Sequence, residues 1–176
     1  MTFFKEDLKK VNAFVFDVDG VLSKDTSPLN EDGDPVRTAN VKDGFAIRNA
    51  ILFGYPVAVI TGGYIERVPK RYERLGVKYF YNNARDKVKC LEDFLSKTGI
   101  DVENVLFMGD DLVDYTVMKK VGIPVCPIDA VADIKAISKY VSHKNGGEGC
   151  VRDIIEQTLR AQNKWFTDEM LCNKAF

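Results

Sequence analysis

The chain has no excess of either charge: 25 Lys and Arg stand against 26 Asp and Glu in 176 residues. A formal net charge of −1 removes the polyelectrolyte argument for nucleic acid or an anionic membrane surface as partner. Cysteine is sparse, and Cys90, Cys126, Cys150 and Cys172 are scattered without a C-x-x-C pair. Several lie in apolar periodic segments, so reduced structural thiols are expected rather than disulfides. No apolar run approaches membrane-spanning length, and Met1–Lys10 lacks the apolar centre of a signal peptide. A cytoplasmic protein is expected. Histidine occurs once, at His143, beside a glycine-rich loop where a surface role is expected. No stretch between periodic segments is long enough for a second domain, so 1–176 reads as a single domain.

What the chain does have is alternation. Short apolar runs at Ala13–Phe16, Pro56–Ile60, Asn104–Met108 and Ile123–Cys126 fit strands buried on both faces, with shorter strands at Lys78–Tyr81 and Lys139–Ser142. Helical periodicity follows from Asp43 (a plausible N-cap) to Gly54, over Tyr64–Leu75 and over Arg85–Thr98. It returns at about Leu112–Lys120, Ala130–Ile137 and Cys150–Gln162. Pro69 should open or kink the second of these. Strand and helix in turn predict an α/β fold, a doubly wound, mostly parallel sheet with helices on both faces. Ser23–Val41 carries Asp32-Gly33 between two extended stretches and reads as a protruding β-hairpin, or else as an ordinary loop. Its arms, Lys24–Leu29 and Val36–Val41, have few large apolar groups, so a hairpin there needs a surface to lie on. Lys164–Phe176 is a tail with Trp165, Phe166, Met170, Leu171 and Phe176, suited to docking on this subunit or a neighbour.

The chemically loaded residues fall where strands end. Asp17 and Asp19 close the first strand, Thr61-Gly62-Gly63 the second, and Asp110 and Asp111 the fourth. In a parallel sheet those ends share one edge, where ligands bind. Asp17 and Asp19 are two apart and point the same way along a strand, and Gly20 lets the chain turn. Carboxylates at a buried strand end are costly unless a cation or hydrogen bonds compensate them. Gly109-Asp110-Asp111 also has the form of an N-cap for the next helix.

Asp17-Val18-Asp19-Gly20-Val21-Leu22 resembles the first motif of the haloacid dehalogenase-like phosphatases. Further motifs resemble that superfamily in order and spacing from about Val11 to Asp153. The nearest likeness is to its capless sugar-acid phosphatase branch, the 3-deoxy-D-manno-octulosonate 8-phosphate phosphatase family. The resemblance implies Asp17 as nucleophile and Asp19 as general acid. It implies Thr61 and the Gly62 and Gly63 N–H groups as phosphoryl donors, and Lys87 (Lys89 being the rival) as the neutralising ammonium. It implies Mg²⁺ held by Asp17, the Asp19 main-chain carbonyl and Asp110, with Asp111 and Asp114 behind it. Lys42-Asp43-Gly44 and Gly146–Asp153 resemble segments concerned with substrate, and Arg67, Arg71 and Arg152 join Lys42 as candidates for a substrate carboxylate. Lys42 and Gly63 depart from the branch, where arginines are usual. The implied substrate is a phosphorylated 2-keto-3-deoxy sugar acid, the octulosonate 8-phosphate ahead of a nonulosonate 9-phosphate. The implied assembly is a homotetramer built through the hairpin. The non-enzyme rival is a receiver-like phosphoacceptor module, against which D-x-D-G argues: a module that keeps its phosphoryl group has no use for an acid two residues from the acceptor.

Overall fold

The computed structural model describes residues 4–64 and 68–165. Six strands form one parallel sheet: β1 Ala13–Phe16, β2 Val57–Ile60, β3 Tyr79–Tyr81, β4 Val105–Met108, β5 Ile123–Cys126 and β6 Tyr140–Val141. Their order is β3-β2-β1-β4-β5-β6. The chain therefore winds outward from β1 to β3, then returns to β4 on the other side of β1. That reversal opens a crevice at the carboxyl ends of β1 and β4. Among the described residues seven α-helices flank the sheet: α1 Phe4–Leu8, α2 Val41–Leu52, α3 Val68–Leu75, α4 Lys87–Thr98, α5 Leu112–Met118, α6 Ala132–Ile137 and α7 Cys150–Ala161.

Every residue of β1, β2, β4 and β5 is buried, as expected of strands covered on both faces. Phe14, Phe16, Val57, Val59, Leu106 and Met108 pack with Ile47 and Ala50 of α2, Tyr72 of α3 and Ile154 and Ile155 of α7. Ala13, Val15, Ala58, Ile60 and Phe107 pack with Leu91 and Phe94 of α4, Met118 of α5 and Ile134 of α6. The two sets alternate residue by residue, so each strand feeds both layers of the core. Truncating an anchor such as Phe16 to alanine would cost about 3–5 kcal/mol.

One expectation is corrected. The N-cap of α2 is Asn40, not Asp43: its side chain accepts from the N–H groups of Lys42 and Asp43. The 23–41 excursion doubles back around Asp32-Gly33, the Asn30 N–H donating to the Asp34 carbonyl and the Val36 N–H to the Pro28 carbonyl, but its arms form no regular strands. Asn30 Oδ1 accepts from the Asp32 and Asp34 N–H groups at 3.0 and 2.8 Å, and Leu29 and Pro35 form a single antiparallel bridge. At its base hydroxyls replace a ladder: the Thr38 N–H donates to Ser23 Oγ and the Lys24 N–H to Thr38 Oγ1. Arms so poor in apolar groups have no face to bury, and Pro35 has no N–H to give.

Pro69 is the second described residue of α3, and the residues ahead of Val68, which decide whether it opens or kinks the helix, lie outside the described residues. The tail begins by docking on its own subunit. Trp165 is buried, edge-on to Phe45, with the Arg152 guanidinium 4.4 Å over its ring and its carbonyl accepting from Asn49. Arg67, Cys172, Phe166, Met170, Leu171 and Phe176 lie outside the described residues. Cys90, Cys126 and Cys150 are free thiols. No described helix is long and apolar enough to cross a membrane.

Candidate active site

The strand ends converge. Asp17, Asp19, Thr61, Gly62, Gly63, Lys87, Asp110 and Asp111 line one cleft of about 500 Å³, together with Asp25, Ala84, Arg85 and Val113. Thr61 is held by sheet-edge bonds, its N–H donating to the Tyr81 carbonyl and its own carbonyl accepting from the Ala84 N–H. The Gly63 N–H donates to Thr61 Oγ1 at 3.3 Å.

Lys87 is the first residue of α4, whose N-cap Asp86 accepts from the Lys89 N–H. Its Nζ lies 2.8 Å from Asp17 Oδ2 and 2.7 Å from Asp114 Oδ1, with all three side chains buried. The rival Lys89 is exposed and pairs with Asp86. Asp114 Oδ2 also accepts from the Asp110 N–H at 3.2 Å, so one carboxylate orients both the ammonium and the end of β4. Asp111 accepts from the Leu112 N–H and caps α5.

Asp17, Asp110 and Asp114 each bring a carboxylate oxygen within 4.8 Å of the others. Burial first, then the Asp114 charge, pushes the Asp17 carboxyl well above the usual carboxylate range. Burial, Asp114 and Asp111 push Asp110 up to about 7. Asp110 Oδ1 is buried without a hydrogen-bond partner. Three carboxylates against one ammonium leave two negative charges, which one hard divalent cation would compensate. The donor set fits Mg²⁺. Gly20 makes room for the Asp110 carboxylate: at φ +80° the chain turns, and a Cβ there would stand 2.0 Å from Asp110 Oδ2. The Asp19 carboxylate lies outside this group.

Asp19 instead meets a residue that motif reading missed. Arg37, on the excursion, grips both Asp19 oxygens, Nε on Oδ1 and Nη2 on Oδ2, each at 3.0 Å. Arg85 and Asp25 were missed as well: Asp25 lies on the irregular excursion, and Arg85, read as the first residue of a helix, stands two residues before α4 begins.

Several expected substrate residues are elsewhere. Asp43 is buried, and its Oδ1 accepts from the Arg152 N–H at 2.6 Å, tying α2 to the first turn of α7. Burial raises its carboxyl to about 6. Gly44 lies against Arg71, which donates to the Asn40 carbonyl, while Arg152 stacks on Trp165 and pairs with Glu156. Lys42 is exposed and outside the cleft of its own chain. The Gly146–Gly149 loop packs behind the β1 turn, the Gly147 N–H donating to the Val21 carbonyl. His143 is exposed, near Asp153.

A family model described as haloacid dehalogenase-like hydrolase matches residues 77–154. The 3-deoxy-D-manno-octulosonate 8-phosphate phosphatase of Salmonella typhi is 37% identical over 156 residues, 89% of this chain and 83% of its own. The chain belongs to the haloacid dehalogenase-like hydrolases. The Escherichia coli K12 phosphatase of the same name is 36% identical over the same shares. Among solved structures of this family, the Yersinia pestis enzyme superposes with a TM-score of 0.87 at 32% identity, over 92% of this chain and 87% of that one. The Moraxella catarrhalis enzyme, in complex with magnesium, phosphate and KDO, gives 0.87 at 29% identity over 96% and 95%.

Proposed function

We propose that this chain is a Mg²⁺-dependent phosphatase that hydrolyses 3-deoxy-D-manno-octulosonate 8-phosphate through an aspartyl-phosphate at Asp17. The observation that carries the reading is the buried Lys87 bridge between Asp17 and Asp114 beside the unpartnered Asp110 oxygen. The names of the relatives supply the substrate. In this reading an Asp17 oxygen bonds to phosphorus as the bond from phosphorus to the sugar oxygen breaks. Asp19 gives the departing oxygen its proton and later takes one from the water that releases phosphate. Lys87 keeps Asp17 oriented and offsets phosphoryl charge, while Thr61 and the Gly62 and Gly63 N–H groups donate to the phosphoryl oxygens. Mg²⁺, held by Asp17 and Asp110, would supply Lewis-acid charge compensation that lets a dianion approach carboxylates. Arg85 is the cation in the cleft suited to the carboxylate of a sugar acid.

The assembly belongs to the same proposal: a homotetramer built through residues 23–41. Leu29 and Val36 on the excursion, and Tyr64, Leu112 and Val113 beyond it, are large apolar groups left exposed in one subunit. Light scattering that finds a fully active monomer would defeat it. The substrate test is turnover, with and without Mg²⁺, of the octulosonate 8-phosphate, a nonulosonate 9-phosphate and neutral hexose phosphates. A neutral hexose phosphate that matches the acids would leave only a general phosphatase.

A further inference from the structure

We propose that Arg37 is a positioning residue for the reaction, acting through Asp19 from the 23–41 excursion. The inference rests on the phosphatase reading and adds a part to it. Asp19 sits on the turn after β1 with its side chain 43% exposed, whereas the Arg37 side chain is only 11% exposed. An exposed carboxylate on a turn has free torsions. A guanidinium that meets both of its oxygens at 3.0 Å fixes its plane as a single ammonium contact would not.

The guanidinium is itself held. Its Nη1 donates to the Pro35 carbonyl at 3.3 Å, so the turn that makes the excursion also braces the fork. On the other side is Gly63, where a Cβ would stand 2.9 Å from Arg37 Nη2 and 3.5 Å from Asp19 Oδ2. Gly63 has no left-handed backbone to explain the glycine; the space it leaves is taken by the Arg37 head and the Asp19 carboxylate. Arg37 stands behind Asp19, and only Asp19 and Gly63 of these three line the cleft. An ion pair at a protein surface adds little stability. Joining residues 18 apart across an excursion without strands, this one serves to aim Asp19 at the place where the leaving oxygen departs.

Placement of Asp19 matters most when the leaving oxygen needs a proton. The experiment compares kcat and KM of wild type, Arg37→Ala and Arg37→Lys on p-nitrophenyl phosphate and on glycerol 2-phosphate, an alkyl monoester. Arg37→Ala should lose about ten- to a hundredfold more kcat on the alkyl ester than on the aryl ester. Arg37→Lys should recover part of that difference, and added guanidinium should recover part of it in Arg37→Ala. Equal losses on both esters, or a change confined to KM, would overturn the inference even with wild type active. A wild type inactive on every phosphate monoester would remove the phosphatase reading and the inference with it. Should Arg37→Ala fail to fold, the same leaving-group comparison on Arg37→Lys decides, since an ammonium cannot grip both oxygens in one plane.

Discussion

Lys87 Nζ lies 2.8 Å from Asp17 Oδ2, and both side chains are almost wholly buried. Burial pushes the Lys87 ammonium down, but Asp17 and Asp114 outweigh it and hold the group above its ordinary value. Asp17 goes up as well, because burial and Asp114 act on it more strongly than Lys87 does. The pair is thus one member of a triad whose charges do not cancel until a cation joins.

Removing the two partners should have unlike effects. Lys87→Met leaves Asp17 and Asp114 buried without their counter-ion, and should cost about 3–5 kcal/mol in stability as well as abolishing turnover. Asp17→Asn removes a carboxylate that burial already disfavours and leaves Lys87 on Asp114. It should remain folded and lose the chemical step, because an amide is a poor nucleophile. Urea denaturation beside a turnover assay separates the two. Wild-type-like turnover by Asp17→Asn would end the nucleophile assignment.

The raised carboxyls set a pH dependence for the metal-free protein. Asp110 is pushed up to about 7, Asp43 to about 6 and Asp17 in the same direction. Between pH ~4, where unfolded Asp releases its proton, and pH ~7, the native state holds protons that the unfolded chain has lost. Stability should therefore fall as pH rises through that window, with Asp110 alone contributing on the order of 2–4 kcal/mol. Mg²⁺ needs the ionised group, so it should raise Tm more at pH 8 than at pH 5. Thermal scans at both pH values with EDTA or Mg²⁺ check this. A metal-free Tm that climbed from pH 5 to pH 8 would contradict it.

Asp43 should prove to be a tie between helices. Its Oδ1 caps the first turn of α7 through Arg152 N–H, while Oδ2 is buried without a partner. Asp43→Ala should cost about 1–2 kcal/mol, as loss of a cap does. Asp43→Asn keeps the acceptor, so it should retain most of that and respond less to pH between 5 and 7. Denaturation at pH 5 and pH 7 measures both. Unchanged stability with a raised KM in Asp43→Ala would return this residue to the substrate.

The sheet was legible because β1, β2, β4 and β5 are apolar along their whole length, and the strand-end carboxylates mark the edge that holds the cleft. Local chemistry misled where a tertiary partner decides. Asp43 has the form of an N-cap, yet Asn40 caps α2 and Asp43 caps α7, 109 residues away. Asp32-Gly33 signals a hairpin, and the chain does reverse there, but its arms lack the apolar face that would make strands. Arg37 was invisible for the same reason: its tie to Asp19 follows from the path of an irregular excursion, which has no period to read. The resemblance alone favours Lys87 over Lys89, and the fold supplies the physical reason: Lys87 is buried at the first position of α4, whereas Lys89 faces water.

Arg85 gives the sharpest test of substrate. A sugar acid carries a carboxylate remote from its phosphate, and each end needs a cation. Of the basic residues the sequence offered, Arg67 lies outside the described residues, Arg71 holds the Asn40 carbonyl, Arg152 holds Trp165 and Glu156, and Lys42 stands outside its own chain's cleft. Arg85 lines the cleft two residues ahead of Lys87, and among the described residues its side chain makes no ion pair. A charge-assisted hydrogen bond is worth about 1.5–3 kcal/mol, or roughly ten- to a hundredfold in kcat/KM. Arg85→Ala should therefore lower kcat/KM for the octulosonate 8-phosphate by about that factor, through KM. The effect on a neutral hexose phosphate should be much smaller. Lys42→Ala is the comparison, because in the proposed tetramer Lys42 would be free to serve a neighbour's cleft. Equal losses on acid and neutral substrates would assign Arg85 to the phosphate. A loss in Lys42→Ala alone would assign the carboxylate to the neighbour.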